Sequence, residues 1–342
     1  MIMRFGVLDV GSNAAQLQVV DACAGAPPLP IHGVKLPTRL GEEVAADGSI
    51  SEEGVKRVVA AVQQAMNMAR ELTVDQLYPF VTAAIRDADN RDAVLERLAN
   101  QTGVRLQFLT GEQESRLTYL AVRSWYGWQA GRLLNIDIGG GSMELAFGRD
   151  ALPELAVSLP LGAARVSAEF LRPDPPSPAQ IKALRRHVRQ QVRQVANRVQ
   201  WEGMPRRVVL TSKTFKQLAR LNGAPHGREG PFVRRVLSKS QVRQSIDRLM
   251  AVDAADRAEF RGVRPARASQ ILGGAVVAYE TMRCLGIKRA EVSPWALREG
   301  IVLQHLFSIR GPDERLTLQP MTFNGSADSA NVTLLPERHG QR

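Results

Sequence analysis

Cysteine is nearly missing from this 342-residue chain: Cys23 and Cys284 are the only two, without metal-ligand spacing. That argues against a disulfide framework or a structural zinc and fits a reducing cytoplasm. Histidine is scarce too, with five scattered residues and no His-x-x-His or Glu-x-x-His pattern on which a histidine metal site could be built. No long apolar run exists; the strongest, Ile271–Ala278, is too short to span a bilayer and contains two glycines. The N-terminus runs straight into a strand pattern, with no charged segment before a long apolar core, so no signal peptide is expected. These absences point to a cytoplasmic protein without a membrane span. Acids are outnumbered, and unevenly: the net charge is +11, yet residues 180–248 alone hold 17 Lys/Arg against three acids. Such a region is either an electrostatic footprint for a polyanion or a set of arginine-rich solvated helix faces. Aromatics are sparse there (Trp201, Phe215 and Phe232), which argues against nucleic acid because base-stacking platforms are missing. A bare phosphate chain needs no stacking, only positive charge along a groove.

What is present is a repeated fingerprint: Asp9-Val10-Gly11-Ser12-Asn13, then Asp137-Ile138-Gly139-Gly140-Gly141-Ser142, 128 residues later. Each follows an apolar run that reads as a buried strand, Phe5–Leu8 and Leu133–Ile136. A strand ending in Asp, then glycine with a hydroxyl residue, makes a turn of exposed backbone amides that can cradle phosphate beside a carboxylate. One copy is ordinary hairpin punctuation. Two copies suggest two similar lobes facing each other across a phosphate-binding cleft.

The remaining pattern alternates strands and helices in both halves. Met3–Val10 and Gln16–Ala22 read as strands, prolines 27, 28 and 30 as a loop, and a helix opens at Ser51 with Glu52 and Glu53 in its first turn. Leu77–Ala84 and Val104–Leu109 read as strands, Arg91–Asn100 as a helix, and Gly111 opens another. After residue 133 the order is strand, turn, strand, helix, then a proline-rich break at 173–178 and a long arginine-rich helix to about Val199. Arg207–Thr211 reads as a strand, Ser212–Leu221, Ser238–Met250 and Ala266–Cys284 as helices, Ala290–Ser293 as a strand and Trp295–Phe307 as the last helix. The expected division is an N-terminal lobe at 1–130, a C-terminal lobe with a basic helical region at 131–310, and a mobile polar tail at 311–342.

Several residues could carry phosphoryl chemistry, which needs positioning, charge neutralisation and a carboxylate to orient or deprotonate the attacking group. The turns Gly11–Asn13 and Gly139–Ser142 offer amides and hydroxyls, and Asp9 and Asp137 stand at strand ends suited to magnesium. Glu144 is either a cleft residue or an exposed strand residue. Glu112 and Glu114 are either favourable charges in a first helical turn or a general base on water. Arg86, flanked by Thr82, Asp87 and Asn90, is either a phosphate clamp or an ordinary surface arginine. The stretch 296–300 is at least the opening of the last helix.

Together DVGSN (9–13), AIRDADN (84–90), GEQESRL (111–117), DIGGGSMEL (137–145) and ALREG (296–300) resemble, in order and spacing, the Ppx/GppA phosphatase family. These are exopolyphosphatases and guanosine-pentaphosphate phosphatases of the actin, sugar-kinase and heat-shock-chaperone superfamily. The resemblance covers about residues 3–308, and the stretch 116–142 is similar to the short actinobacterial exopolyphosphatases. It implies an α/β fold of two actin-like (ribonuclease-H-like) lobes with an interdomain phosphate-binding cleft. It implies Glu114 as the base that activates water against the terminal phosphoryl group of polyphosphate, and Arg86 as the arginine that contacts that phosphate. Gly11, Ser12 and Asn13 match one phosphate loop; Gly139, Gly140, Gly141 and Ser142 match the other. Asp9, Asp137 and Glu144 match the acids associated with magnesium, for which manganese could substitute, and with water positioning. A homodimer is plausible on the same ground.

The chain also departs from the pattern. Ala14 stands where relatives usually carry Ser or Thr, Ala83 where a Ser is common before Arg86, and Arg267-Ala268-Ser269 lacks an Asp that many relatives carry. A missing neutral hydroxyl contact costs only about 0.5–1.5 kcal/mol, so chemistry is not abolished by these losses. The expected activity is release of orthophosphate from inorganic polyphosphate. The alternatives are hydrolysis of guanosine pentaphosphate or another nucleoside polyphosphate, and a weakly active or inactive polyphosphate-binding paralogue.

Overall fold

Residues 2–23, 25–40, 48–308 and 318–323 are described by a computed structural model. Two six-stranded sheets organise it, and they repeat one connectivity. In the first, β1 (Met3–Val10) pairs antiparallel with β2 (Ala14–Ala22), which pairs with β3 (Pro30–Pro37). Helix α1 (Glu52–Glu71) then crosses to β4 (Gln76–Val81), parallel to β1. Next come α2 (Ala83–Arg86), α3 (Arg91–Thr102), β5 (Gln107–Phe108) beside β4, and α4 (Gly111–Tyr126). The second sheet repeats this. Strands β6 (Leu133–Ile138), β7 (Met143–Gly148) and β8 (Leu155–Leu159) form an antiparallel meander. Helices α5 (Ala163–Phe170) and α6 (Pro178–Glu202) lead to β9 (Arg207–Thr211), parallel to β6. Helix α7 (Ser212–Leu221), edge strand β10 (Val236–Ser238), and helices α8 (Lys239–Met250), α9 (Ala254–Ala258) and α10 (Ala268–Cys284) precede β11 (Arg289–Val292) and α11 (Leu297–Ser308).

Local sequence explains these elements. Ser51 caps α1 and its Oγ accepts from the Gly54 amide, while Val55, Val58, Val59, Val62, Met66 and Ala69 bury one stripe. Capping boxes, Thr110 with Gln113 and Ser177 with Gln180, start α4 and α6. Pairing of α6 with α10 closes the second core through Leu184, Val188 and Val192 against Ala275, Val276 and Met282.

Helices α4 and α11 lie between the lobes. One side of α4 packs on β7 and β8 of the second sheet, while α11 packs on α4 and on β1 and β2 of the first. Phe5, Val7, Tyr78 and Phe80 meet Leu117, Ile301, Val302 and Leu306 there. The two helices cross so closely that a Cβ on Gly300 would stand 2.0 Å from the Leu117 carbonyl oxygen, so the glycine of the 296–300 motif is required by backbone approach.

Four sequence readings change. The proline-marked segment is an edge strand, β3, whose mostly exposed residues carry no hydrophobic alternation and whose prolines sit at both ends, outside the demand of a central ladder. The strand expected to Ala84 stops at Val81, and α2 follows. The strand expected at 104–109 shortens to two residues. The tail expected to be mobile from 311 contains β12 (Met321–Thr322), which pairs antiparallel with β4; residues 311–317 and 324–342 lie outside the described residues. No described helix is long and apolar enough to cross a membrane.

Candidate active site

The repeated turns are built alike. In the first, the Gly11 amide donates to the Ala14 carbonyl at 3.1 Å; in the second, the Gly139 amide donates to the Ser142 carbonyl at 2.9 Å. They face each other across the lobes: a Cβ on Gly140 would lie 3.4 Å from Ser12 Oγ, and one on Gly141 2.8 Å from the Ala83 methyl. Helix α5 docks on the second turn, its Ala163 and Ala164 amides donating to the Gly139 and Gly140 carbonyls at 2.9 Å. The amides of Gly140 and Gly141 have no protein acceptor among the described residues. Free amides in a turn backed by a helix N-terminus form a preorganised anion cradle. Ala83 sits at this close contact between lobes.

Asp9, Glu114, Asp137, Glu144 and the residues of both glycine turns line one cleft of about 620 Å³, and Arg86 reaches it through Glu114; Glu112 and Asn90 do not line it. The ambiguity between Glu112 and Glu114 resolves by direction: Glu112 faces out to Arg116 at 2.7 Å, while Glu114, largely buried, receives Arg86 Nη1 at 2.5 Å. Arg86 is not an ordinary surface arginine. It also donates to the Leu109 carbonyl at 3.0 Å and to Asp87 Oδ1 at 2.9 Å. Asp87 in turn meets Arg165 of α5 at 3.4 Å, so ionic contacts link Glu114 to the opposite lobe. Two features hold α4 in place. A Cβ on Gly111 would clash with Ser158 at 2.3 Å, and Ser115 Oγ donates to the Leu145 carbonyl at 2.8 Å.

The carboxylates are electrostatically strained. Burial, reinforced by Glu144, Asp9 and Asp137, pushes Glu114 well above the usual carboxylate range, and Arg86 opposes this. Burial and Asp137 raise Glu144 to about 7 against hydrogen bonds from Ser142 and Ser158; the Ser158 bond is 2.9 Å long. Burial also raises Asp9, opposed by Arg298 and Lys213, and Asp137, opposed by Thr211, Lys216 and Arg267.

Among the described residues no three acid, His or Cys side chains come together as a metal cage. The expected trio of Asp9, Asp137 and Glu144 is therefore not a preformed site: Glu144 is turned to Ser158, whereas Asp9 and Asp137 end β1 and β6 on opposite sides of the cleft. Neither Asp9 nor Asp137 forms an ion pair among the described residues. One or two carboxylates with open valence suit magnesium, which keeps several waters and takes its remaining ligands from substrate phosphate.

Besides Arg165, which pairs with Asp87, six cations line the same cleft: Lys35 from β3, Lys213 and Lys216 from α7, Arg264 and Arg267 before α10, and Arg298 from α11. None forms an ion pair among the described residues. Burial lowers Lys213 to about 7, with Lys216, Arg298, Arg264 and Lys35 adding to the effect. Of the basic run at 180–248 only Lys213 and Lys216 reach this cleft, so most of that excess charge lies elsewhere. The sequence did hold a signal for these lysines. Segment 211–216 after β9 is the topological counterpart of 82–86 after β4, a Thr leading into a helix from a parallel strand. At that junction Ser212 has φ +93°, a strained geometry for a residue other than glycine.

Comparison with known proteins agrees with this architecture. The model of the Ppx/GppA phosphatase family matches residues 19–308. The chain is 46% identical over 306 residues to Exopolyphosphatase 1 of Mycobacterium tuberculosis, covering 90% of this chain and 89% of that protein. It is 48% identical over 306 residues to an uncharacterised Streptomyces coelicolor protein, covering 89% and 90%. The crystal structure of the Aquifex aeolicus Ppx/GppA family member superposes with a TM-score of 0.76 at 26% identity, over 91% of this chain and all of that one. An exopolyphosphatase structure from Cytophaga hutchinsonii shares the fold at a TM-score of 0.81 and 20% identity, over 90% and 98%. With its paired actin-like lobes and a family match spanning most of its length, the chain belongs to the Ppx/GppA phosphatase family.

Proposed function

We propose that the protein is an exopolyphosphatase that removes terminal orthophosphate from inorganic polyphosphate. The observation that carries this reading is the cleft's asymmetry: two glycine turns and the Arg86–Glu114 pair at one place, joined by six cations that form no ion pair among the described residues. A chain of phosphates supplies the missing negative charge along that length, and its end meets the carboxylate. In the reaction, the water oxygen bonds to the terminal phosphorus as the bridging P–O bond breaks. Glu114 takes the water proton, and the shortened chain leaves with the bridging oxygen. Arg86 and the Gly11–Asn13 and Gly139–Ser142 turns hold the terminal phosphoryl oxygens as charge builds. Magnesium, or manganese, held by Asp9 and Asp137 with substrate oxygens and water, would neutralise charge on the phosphoryl group. Glu144, hydrogen-bonded to Ser158, orders water beside Glu114.

Burial favours the protonated, non-basic form of Glu114, and its contact with Arg86 opposes that. The test is orthophosphate release from polyphosphate with magnesium. Glu114→Gln is expected to lower kcat by about 10²–10⁴-fold, the usual range for a general base, with binding retained. Full activity in that variant overturns the assignment.

A second reading has an observation of its own. A mostly apolar cavity of about 450 Å³ adjoins the cleft, sharing Lys216, with Trp295, Pro225, Pro231 and Val292 in its walls. Such walls suit an organic ring better than bare phosphate. Guanosine pentaphosphate or another nucleoside polyphosphate could enter with its phosphates at Lys216, and competition against polyphosphate decides between the substrates.

A further inference from the structure

Glu299 is a buried carboxylate that lines the apolar cavity and not the phosphate cleft. Its Oε2 accepts from the Ala296 amide at 2.8 Å, closing the first turn of α11 from within. That contact alone is a helix cap, with the modest stabilising effect of caps. Its other oxygen does something a cap does not require. Oε1 accepts from Gln18 Nε2 at 3.0 Å, tying the start of α11 to β2, and Gln18 is itself buried.

Two cleft cations depend on this junction. Arg298 is the residue immediately before Glu299, in the same first turn, and lines the cleft. Lys216, on α7, lines both the cleft and the cavity that Glu299 borders. Its Nζ donates to the Pro294 carbonyl at 3.2 Å, in the segment leading to Ala296. Lys216 is half-buried, with Arg298 and Arg235 as like-charged neighbours; Glu299 and Asp137 are the acids that favour its charged form. Asp137 faces the cleft, where an incoming polyanion competes with it. Glu299 stands on the other side of Lys216, outside the cleft.

We propose that Glu299 is a positioning residue for the phosphate chain: one carboxylate locks the first turn of α11 to β2, fixing Arg298, and stands as counter-charge behind Lys216, so that both cations meet the substrate. This rests on the reading of the cleft as a polyphosphate site. Glu299 does not touch the substrate, so its removal acts on substrate binding and leaves the reacting end of the cleft intact.

The experiment compares full-length wild type, Glu299→Gln, Glu299→Asp and Gln18→Leu in orthophosphate release from polyphosphate over a range of concentrations, with thermal midpoints recorded. Glu299→Gln is expected to raise KM about tenfold while kcat stays within about threefold. Glu299→Asp, which keeps the charge, recovers part of the KM. Gln18→Leu moves KM in the same direction by less. A folded Glu299→Gln protein with unchanged KM overturns the proposal, and so does one in which kcat falls while KM holds. If Glu299→Gln does not fold, Gln18→Leu decides by the same split. If wild type releases no orthophosphate, the functional reading fails by itself. The positioning role is then judged by polyphosphate affinity in calorimetry, where an equal Kd for wild type and variant overturns it.

Discussion

Two regions of this chain concentrate positive charge, and they handle it in opposite ways. On α6, six Lys/Arg residues lie between 178 and 202 with Glu202 as the single acid. Its apolar face packs on α10, and Arg185 and Arg189 join Arg283 around the buried Glu280, at 3.8, 4.0 and 3.0 Å. Lys182, Arg186, Arg193 and Arg198 are exposed to water. In the cleft, six cations converge from both lobes on one space, Lys213, Lys216, Arg267 and Arg298 half-buried, and none forms an ion pair among the described residues. Exposed charge is hydrated and screened, so α6 carries its arginines at little cost. Convergent half-buried charge destabilises the free protein, and an incoming anion relieves it. Local charge excess in a sequence is therefore a poor locator of a site, and unpaired convergence is a good one.

The comparison breaks most visibly at the cleft cations. Lys213→Met and Arg267→Met are each expected to raise the KM for polyphosphate by about ten- to a hundredfold, the range for losing one charge-assisted hydrogen bond. kcat should change much less, because neither residue contacts Arg86 or Glu114 or shifts the Glu114 carboxyl. Steady-state kinetics at fixed salt and magnesium check this, and an unchanged KM in both variants would remove the case for a polyanion track.

The same lysine sharpens the comparison through stability. Lys213 is held near 7 in the folded protein against 10.5 for an ordinary lysine, chiefly by burial. Folding therefore carries its full penalty below pH 7, and the penalty fades as pH rises toward 10.5. Lys213→Met should raise the melting temperature of the substrate-free protein at pH 6–7, and the gain should shrink toward pH 10. Thermal unfolding across that range checks it; a variant less stable than wild type at pH 6 contradicts the picture of unrelieved charge.

Much of this site was legible because the chain repeats itself. The two Asp-Gly turns gave away two lobes and a facing cleft, and Gly140 against Ser12 bears that out in atoms. Glu114, Arg86, Asp137 and the glycine turns stood in recognisable strings. Lys35 was hidden because β3 is an exposed edge strand between prolines and reads as a loop. Arg264 and Arg267 were hidden because they flank a single-turn segment, and which way a short segment faces is decided by packing of α10 on α5 and α8. Ser158 was hidden as well: it lies on β8, a strand absent from the sequence reading, and it donates to Glu144.

The smallest expected effect is the one that tests the other half of the comparison. Lys182, Arg186 and Arg193 lie on one stripe of α6, are exposed, and form no ion pair among the described residues. Converting all three to Gln lowers the net charge from +11 to +8, yet it touches neither Glu280 nor the cleft. At about 0.15 M salt, where the screening length is about 8 Å, kcat/KM for polyphosphate should change by less than about twofold. At about 0.01 M salt the loss should grow, because long-range attraction of a polyanion then reaches the active site. A tenfold loss at the higher salt, seen with long chains and not with tripolyphosphate, would mean that α6 holds the distal part of the substrate. The two regions would then be parts of one track, and the excess charge in the sequence would be a guide to it after all.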